Sequence, residues 1–191
     1  MSRKIQFNAP ITIVFALASL AALFASEFTG GRSNMLLFSV YRSSLNDPLT
    51  YVRAFTHVLG HAGFEHYFSN FMMILLLGPI AEEKYGSTRL LAMMTITALV
   101  TGTLNMLLFP RVMLLGASGV AFMLIILCSF ANLQGEGIPI TFILVVVIYL
   151  GREVLLTITV QDNISRLTHI AGGICGGGIG YFLNRSTFRQ E

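Results

Sequence analysis

The sequence predicts an all-α polytopic membrane protein, a bundle of six transmembrane helices with a long outer loop between the first two. Three observations carry this. Of the 191 residues, 54% are hydrophobic and only 11% are charged, against about 25% charged in an ordinary soluble domain. Mean hydropathy is +0.74. The apolar residues come in long helical runs, not in the dyad alternation of a transmembrane barrel. The length suits a single domain, residues 1–191 with a core at 9–183 and no soluble accessory domain. The net charge of +3 is thinly spread, and no basic run suggests nucleic acid as a partner.

The first span runs about Ala9 to Ser26. It follows a short basic segment and precedes further apolar segments, so it reads as a retained helix and not a cleaved signal. The connection from Glu27 to Gly63 is too long for a turn and too apolar for a free linker (Met35-Leu36-Leu37-Phe38, Tyr41). It is expected to pack on the bundle, partly at the membrane surface. Segment two is about Phe64 to Ala81, ending in Glu82-Glu83-Lys84-Tyr85-Gly86, and segment three about Leu90 to Phe109, stopped by Pro110. Segment four is Ser118 to about Ala131, and segment five runs from Ile140 to about Leu150. The mixed stretch Gly151 to Arg166 leads to segment six, about Leu167 to Leu183.

Six spans put both termini on one side. Arg3 and Lys4 beside the first span favour a cytoplasmic N-terminus. The full tally of Lys and Arg is even across the two sides and does not decide it. Segment four is short: at 1.5 Å per residue it rises about 21 Å, against a hydrocarbon core of about 30 Å. If its far end reaches the cytoplasmic surface, Ser118 lies below the opposite one. Non-helical backbone at that depth needs protein or a water-filled cavity around it. A short buried helix capped by serine, with no cavity, fits the same residues.

Gly116-Ala117-Ser118-Gly119 opens that segment. A serine there combines a hydroxyl on a tight turn with the free N–H groups and positive dipole end of a helix. That suits a nucleophile whose attack creates an oxyanion, although serine is also an ordinary cap. A serine nucleophile needs a base, and the chain has four histidines: His57, His61, His66 and His169. By parity of crossings, the loop before segment two and the starts of segments four and six share the outer side. Ser118, His66 and His169 therefore converge on one face.

His169 lies three residues before Gly172, and Gly172, Gly176 and Gly180 recur every four. The four share one helix face, and small residues at this spacing let two membrane helices approach closely. The same pattern serves a plain packing seam. His66 and Asn70 are four apart and share a face at the outer end of segment two. Both can donate toward a developing oxyanion, or simply bond between helices. His57 and His61 are also four apart, but no glutamate stands between them and no carboxylate lies near at ligand spacing. They are expected to fix the loop, with no metal and no cofactor. Neither Asp47 nor Asp162 has a spacing that marks an orienting acid, so a Ser–His dyad is the economical reading. Cys128 and Cys175 read as buried free thiols.

Jointly, Arg53-Ala-Phe-Thr-His57-x3-His61-x4-His66-x3-Asn70, Gly116-Ala-Ser118-Gly119 and His169-x2-Gly172-x3-Gly176 resemble the rhomboid intramembrane serine proteases. Within that family the chain is similar to the minimal six-helix form of the bacterial GlpG branch, over about Ala9 to Leu183. The resemblance implies Ser118 as nucleophile and His169 as general base, with an oxyanion hole of the Ser118 N–H, His66 and Asn70. It implies hydrolysis of membrane-anchored protein substrates near the outer surface. It also implies a bacterial inner-membrane location with cytoplasmic termini and a site opening to the periplasm. A monomeric catalytic unit in the bilayer is expected. Arg53 matches an arginine of the family's loop motif, but Val52 replaces the tryptophan beside it. Phe122 stands where many relatives carry tyrosine, and its ring can still stack on His169. Glu82 matches a structural glutamate near the inner end of the second helix, and Thr168 stands where the closest pattern has alanine. Segment five and the Gly151–Arg166 loop would be gate and cap, with Leu155, Leu156, Ile158 and Val160 over the site. The rival readings are a transporter, a catalytically silent rhomboid-like protein that binds membrane helices, and a metal- or haem-binding bundle.

Overall fold

The computed structural model describes residues 8–131, 140–145, 147–148 and 163–187. All regular structure among them is helical, apart from one isolated β-bridge between Val40 and Leu114. The helices are α1 (Pro10–Phe28), α2 (Arg32–Leu37), α3 (Pro48–Thr56), α4 (Phe64–Tyr85), α5 (Ser87–Leu108), α6 (Ser118–Ala131), α7 (Ile140–Val145) and α8 (Asn163–Thr187). A 3-10 turn, His57–Leu59, follows α3 directly.

The short α6 is the axis of the bundle. From Val120 to Leu127 every residue is buried except the half-buried Phe122. It packs most extensively on α8, then on α4, and also on α5. Its 14 residues rise about 21 Å, short of the hydrocarbon core of about 30 Å, and it is sheathed by its longer neighbours. Those neighbours carry the exposed apolar residues: Val14 and Leu17 on α1, Met72 and Leu76 on α4, Leu91 and Ile96 on α5, Ile174 and Phe182 on α8. Outward apolar surface of this extent is what lipid contact requires. Two of the described helices, α1 and α5, are long and apolar enough to cross a membrane on that ground alone. α4 is as long as α5, but Glu65, His66 and Asn70 at one end and Glu82, Glu83 and Lys84 at the other lower its hydropathy.

The helix limits differ from the hydropathic ones where charge, not geometry, marks the apparent end. α4 continues through Glu82-Glu83-Lys84 to Tyr85, and α5 starts at Ser87. Only Gly86, at φ +83°, separates them. α8 begins at Asn163, four residues before the apolar run, because nothing between Asn163 and Arg166 breaks a helix. Helix is present over Ile140–Val145 in segment five. The rest of that segment that falls on 146 and 149–150, and the cap residues Leu155, Leu156, Ile158 and Val160, lie outside the described residues.

Glu82 ties three helices together at the end of the bundle where α1 begins. Its carboxylate accepts the N–H groups of Ile11 (2.9 Å) and Thr12 (3.0 Å) and the hydroxyls of Thr12 (2.8 Å) and Ser87 (2.7 Å). The first-turn amides of α1, which have no side-chain cap of their own, are thus capped from α4. Gly78, one turn earlier on α4, makes room: a Cβ there would sit 2.6 Å from Thr12 Cγ2.

The long connection packs on the bundle through α2, α3 and the 3-10 turn. Asp47 caps α3 by accepting the Leu49 N–H at 3.0 Å, with Pro48 at the first helical position. The same carboxylate binds Arg53 Nη2 at 2.8 Å. Arg53 is buried, also donates to Ser43 Oγ at 2.9 Å, and lies over the Tyr41 ring at 4.6 Å. Its bond to Asp47, then the Leu49 N–H, hold that carboxyl below its ordinary value. Val52 is 42% exposed, so the arginine is anchored without an aromatic at that position.

Candidate active site

At the other end of the bundle, the chain leading into α6 is held on three sides. Val40 and Leu114 exchange two backbone hydrogen bonds, at 2.8 and 2.9 Å. Asn105 of α5, buried, donates to the carbonyls of Val40 (3.1 Å) and Val112 (3.0 Å). The Gly116 N–H donates to the carbonyl of His57 at 3.0 Å. Gly116 itself has φ +127°, a conformation that suits glycine. A Cβ there would also lie 2.8 Å from His66 Nε2 and Cε1. The His66 ring therefore lies directly against the turn two residues before Ser118.

Helical bonding of α6 begins with the Ala121 N–H on the Ala117 carbonyl, at 2.9 Å. The amides of Ser118, Gly119 and Val120 precede that ladder, at the positive end of the helix dipole. Ser118 is partly accessible, while Ala117 and Gly119 on either side are buried.

The histidine side of the site comes from α8. The imidazole of His169 lies face to face with the ring of Phe122, centroids 4.3 Å apart and planes 5° from parallel. Phe122 is four residues after Ser118, so the two share a face of α6, and the His169 ring stands against that face. The approach of the two helices rests on glycine. A Cβ on Gly172 would collide with the Gly119 carbonyl, and one on Gly176 with the Met123 carbonyl. Thr168 is buried in the same seam, its Cγ2 3.3 Å from where a Gly119 Cβ would stand. Gly180 is buried on the same helix.

α4 contributes His66 and Asn70. The Ala62 N–H points at His66 Nδ1 at 3.4 Å, so Nδ1 is the acceptor and Nε2, the atom against Gly116, carries the proton. His66 and His169 lie near enough to feel each other's charge. Asn70 is buried, with Nδ2 3.9 Å from the Gly116 Cβ position and 3.2 Å from His61 Nε2.

His57 and His61 are both buried and both engaged. His57 Nδ1 faces the Ala54 carbonyl at 3.2 Å and Nε2 faces Thr101 Oγ1 at 3.3 Å. His61 Nδ1 faces the Leu59 carbonyl at 3.1 Å. Burial pushes the His57 imidazole down to about 4. Burial, and after it the charge of His66, bring His61 down to about 4 as well. Among the described residues no group of three or more His, Cys, Asp or Glu gathers as a metal cage. Asp47 is committed to Arg53 and the α3 cap, and Asp162 lies outside the described residues. Both cysteines are free thiols.

Ser118, His66, Asn70 and His169 are thus brought to one end of the bundle. What spacing left hidden is the scaffold of backbone and amide bonds beneath them. Asn105 and the His57 carbonyl act through loops, which leave no periodic trace in a sequence. No curated protein matches the chain. The family model of the rhomboid domain matches residues 48–186, from the first residue of α3 to the last turn of α8. Ser118, His66, Asn70, His169 and the supporting Asn105 fall within that range, with Val40 just ahead of it, and the chain belongs to the rhomboid family, a family of intramembrane proteases that includes catalytically inactive members.

Proposed function

We propose that the protein is an intramembrane serine endopeptidase of the GlpG type that cuts membrane-protein substrates in or near their transmembrane segments. Ser118 Oγ attacks the scissile carbonyl and its proton passes to His169. His169 then protonates the leaving amine, and water releases the acyl-enzyme. The Ser118 N–H, His66 Nε2–H and Asn70 Nδ2–H receive the oxyanion. No cofactor or metal takes part.

The observation that carries this reading is the face-to-face stacking of His169 on Phe122, one turn beyond Ser118 on the same face of α6. A histidine used only as packing does not need that face. The donors His66 and Asn70 come from a third helix, α4, and lie against Gly116 at the turn before Ser118, so the oxyanion hole is separate from the base. We read the whole chain as one domain of six spans, with a core at 9–183. Both termini are on the cytoplasmic side of a bacterial inner membrane, and the site opens to the periplasm. The catalytic unit is a monomer.

The test is cleavage of a single-span reporter in proteoliposomes by wild type, Ser118→Ala and His169→Ala. Both variants are expected to lose at least about 10³-fold in kcat, and a fluorophosphonate is expected to label wild type but not Ser118→Ala. Reporter cleavage by either variant at the wild-type rate would refute the dyad.

A further inference from the structure

His61 is wholly buried, yet nothing in the hydrolytic chemistry proposed above calls on it. Its surroundings are specific. Nδ1 lies 3.1 Å from the Leu59 carbonyl, which can only accept, so Nδ1 carries the ring proton. Nε2 is then a lone pair, and its neighbour at 3.2 Å is the side-chain amide of Asn70. A lone pair takes only a donor, so the Asn70 atom facing it is the NH2 group. The His61 carbonyl is fixed from a third element, accepting the Asn34 Nδ2–H at 2.9 Å. The ring is wedged against His66 (centroids 5.0 Å), Tyr67 (5.5 Å) and Phe71 (5.7 Å).

The consequence falls on Asn70. One N–H of its amide is spent on His61, and the same nitrogen lies 3.9 Å from the Gly116 Cβ position. The second N–H belongs to the atom already beside the turn that leads to Ser118. Without the lone pair of His61, the amide can rotate by half a turn and present its carbonyl there. That would place an acceptor where an oxyanion must form.

We propose that His61 is a positioning residue for hydrolysis, holding the Asn70 amide so that its N–H, and not its C=O, faces the Gly116–Ser118 turn. The proposal rests on the serine-protease reading. Burial favours the neutral imidazole whose lone pair is needed, and the ring contacts leave His61 little room to turn.

The test uses the full chain in proteoliposomes with a single-span reporter. Asn70→Ala is expected to lower kcat about a hundredfold in the wild-type background, the usual effect of removing one oxyanion donor. His61→Phe keeps a ring and removes the acceptor; it is expected to lower kcat by a similar factor with KM within about twofold. His61→Gln, whose carbonyl reaches where Nε2 stood, is expected to recover most of the loss. In the His61→Phe background, Asn70→Ala should cost nothing more, because the amide has already been lost to the site. Equal costs of Asn70→Ala in both backgrounds, or no rescue by His61→Gln, would overturn the proposal. A second readout is independent of activity. The side-chain ¹⁵N resonance of His61 Nε2 should move downfield in Asn70→Leu as its donor is removed, and an unmoved resonance would also overturn it. Ser118→Ala separates the two levels. If Ser118→Ala still cuts, the protease reading has failed. If it is inactive while Asn70→Ala is unimpaired, the protease stands and the positioning role falls.

Discussion

Gly172 and Gly119 meet backbone to backbone: the space that a Cβ on Gly172 would occupy is already filled by the carbonyl of Gly119. The seam between α6 and α8 is set by this contact and by Gly176 against Met123 one turn on. A base on one helix can serve a nucleophile on another only if the separation is fixed this tightly.

Gly172→Ala is therefore expected to push α8 away from α6. Backbone cannot yield as a flexible side chain does, so the cost should be at least about 1–3 kcal/mol of stability, together with loss of reporter cleavage. Gly176→Ala should behave similarly. Gly178→Ala, which meets nothing within 4 Å, is the control and should leave both thermal unfolding and cleavage unchanged.

Phe122 meets the His169 ring face to face. Phe122→Ala removes a stacked pair worth about 0.5–1.5 kcal/mol beyond area burial, so kcat should fall about tenfold with little change in KM. Phe122→Tyr keeps the ring and should retain cleavage. Steady-state kinetics on the reporter separate the two variants.

Glu82 should matter for stability and not for chemistry. Glu82→Ala leaves the amides of Ile11 and Thr12 and two hydroxyls without their acceptor. Hydrogen bonds to a charged group contribute about 1.5–3 kcal/mol each, so unfolding should occur at clearly lower temperature. Glu82→Gln keeps one oxygen and should lose less. Fluorophosphonate labelling of the folded fraction should be normal in both.

Two buried histidines give the fold an acid limit. His57 and His61 titrate near 4 in the folded protein, below the ordinary value of 6.5. The unfolded chain therefore binds more protons than the folded one between these values, and stability rises with pH across that window. Their contribution to stability is expected to be flat well above pH 6.5 and to fall as pH drops through 6.5 toward 4, by on the order of a few kcal/mol for the pair. Thermal unfolding against pH should show this, and His61→Gln should reduce the slope by up to one proton.

The all-helical character of the fold was legible because its apolar residues come in long runs, although of the described helices only α1 and α5 are long and apolar enough to cross a membrane on that ground alone. The limits of α6, Ser118 to Ala131, coincide with those read from the sequence. Glycine opens that helix, and a polar stretch follows it. The start of α8 was placed late because hydropathy marks where apolar residues begin, not where a helix begins. The partner of Arg53 was not legible at all: Asp47 sits six residues away, outside the i+3 and i+4 spacings of a helix face, and meets the guanidinium from the N-cap position ahead of α3. Within the site, His66 and Asn70 show in the sequence as an i, i+4 pair, whereas the bond between Asn70 and His61 crosses a loop and has no period. The exposure of Val52 shows why a missing tryptophan need not loosen the loop. Its neighbour is anchored from the inside.

The sheathing of α6 has a mechanical consequence. The outward apolar surface lies on α1, α4, α5 and α8, so in a bilayer these are the helices that lipid would press on. Bilayers of different thickness tilt or strain the helices they touch. The serine hangs from the helix they touch least, so its depth is referenced to the protein and not to the lipid. The proposed site can then ride in membranes of differing thickness, much as a compass keeps level on its gimbal.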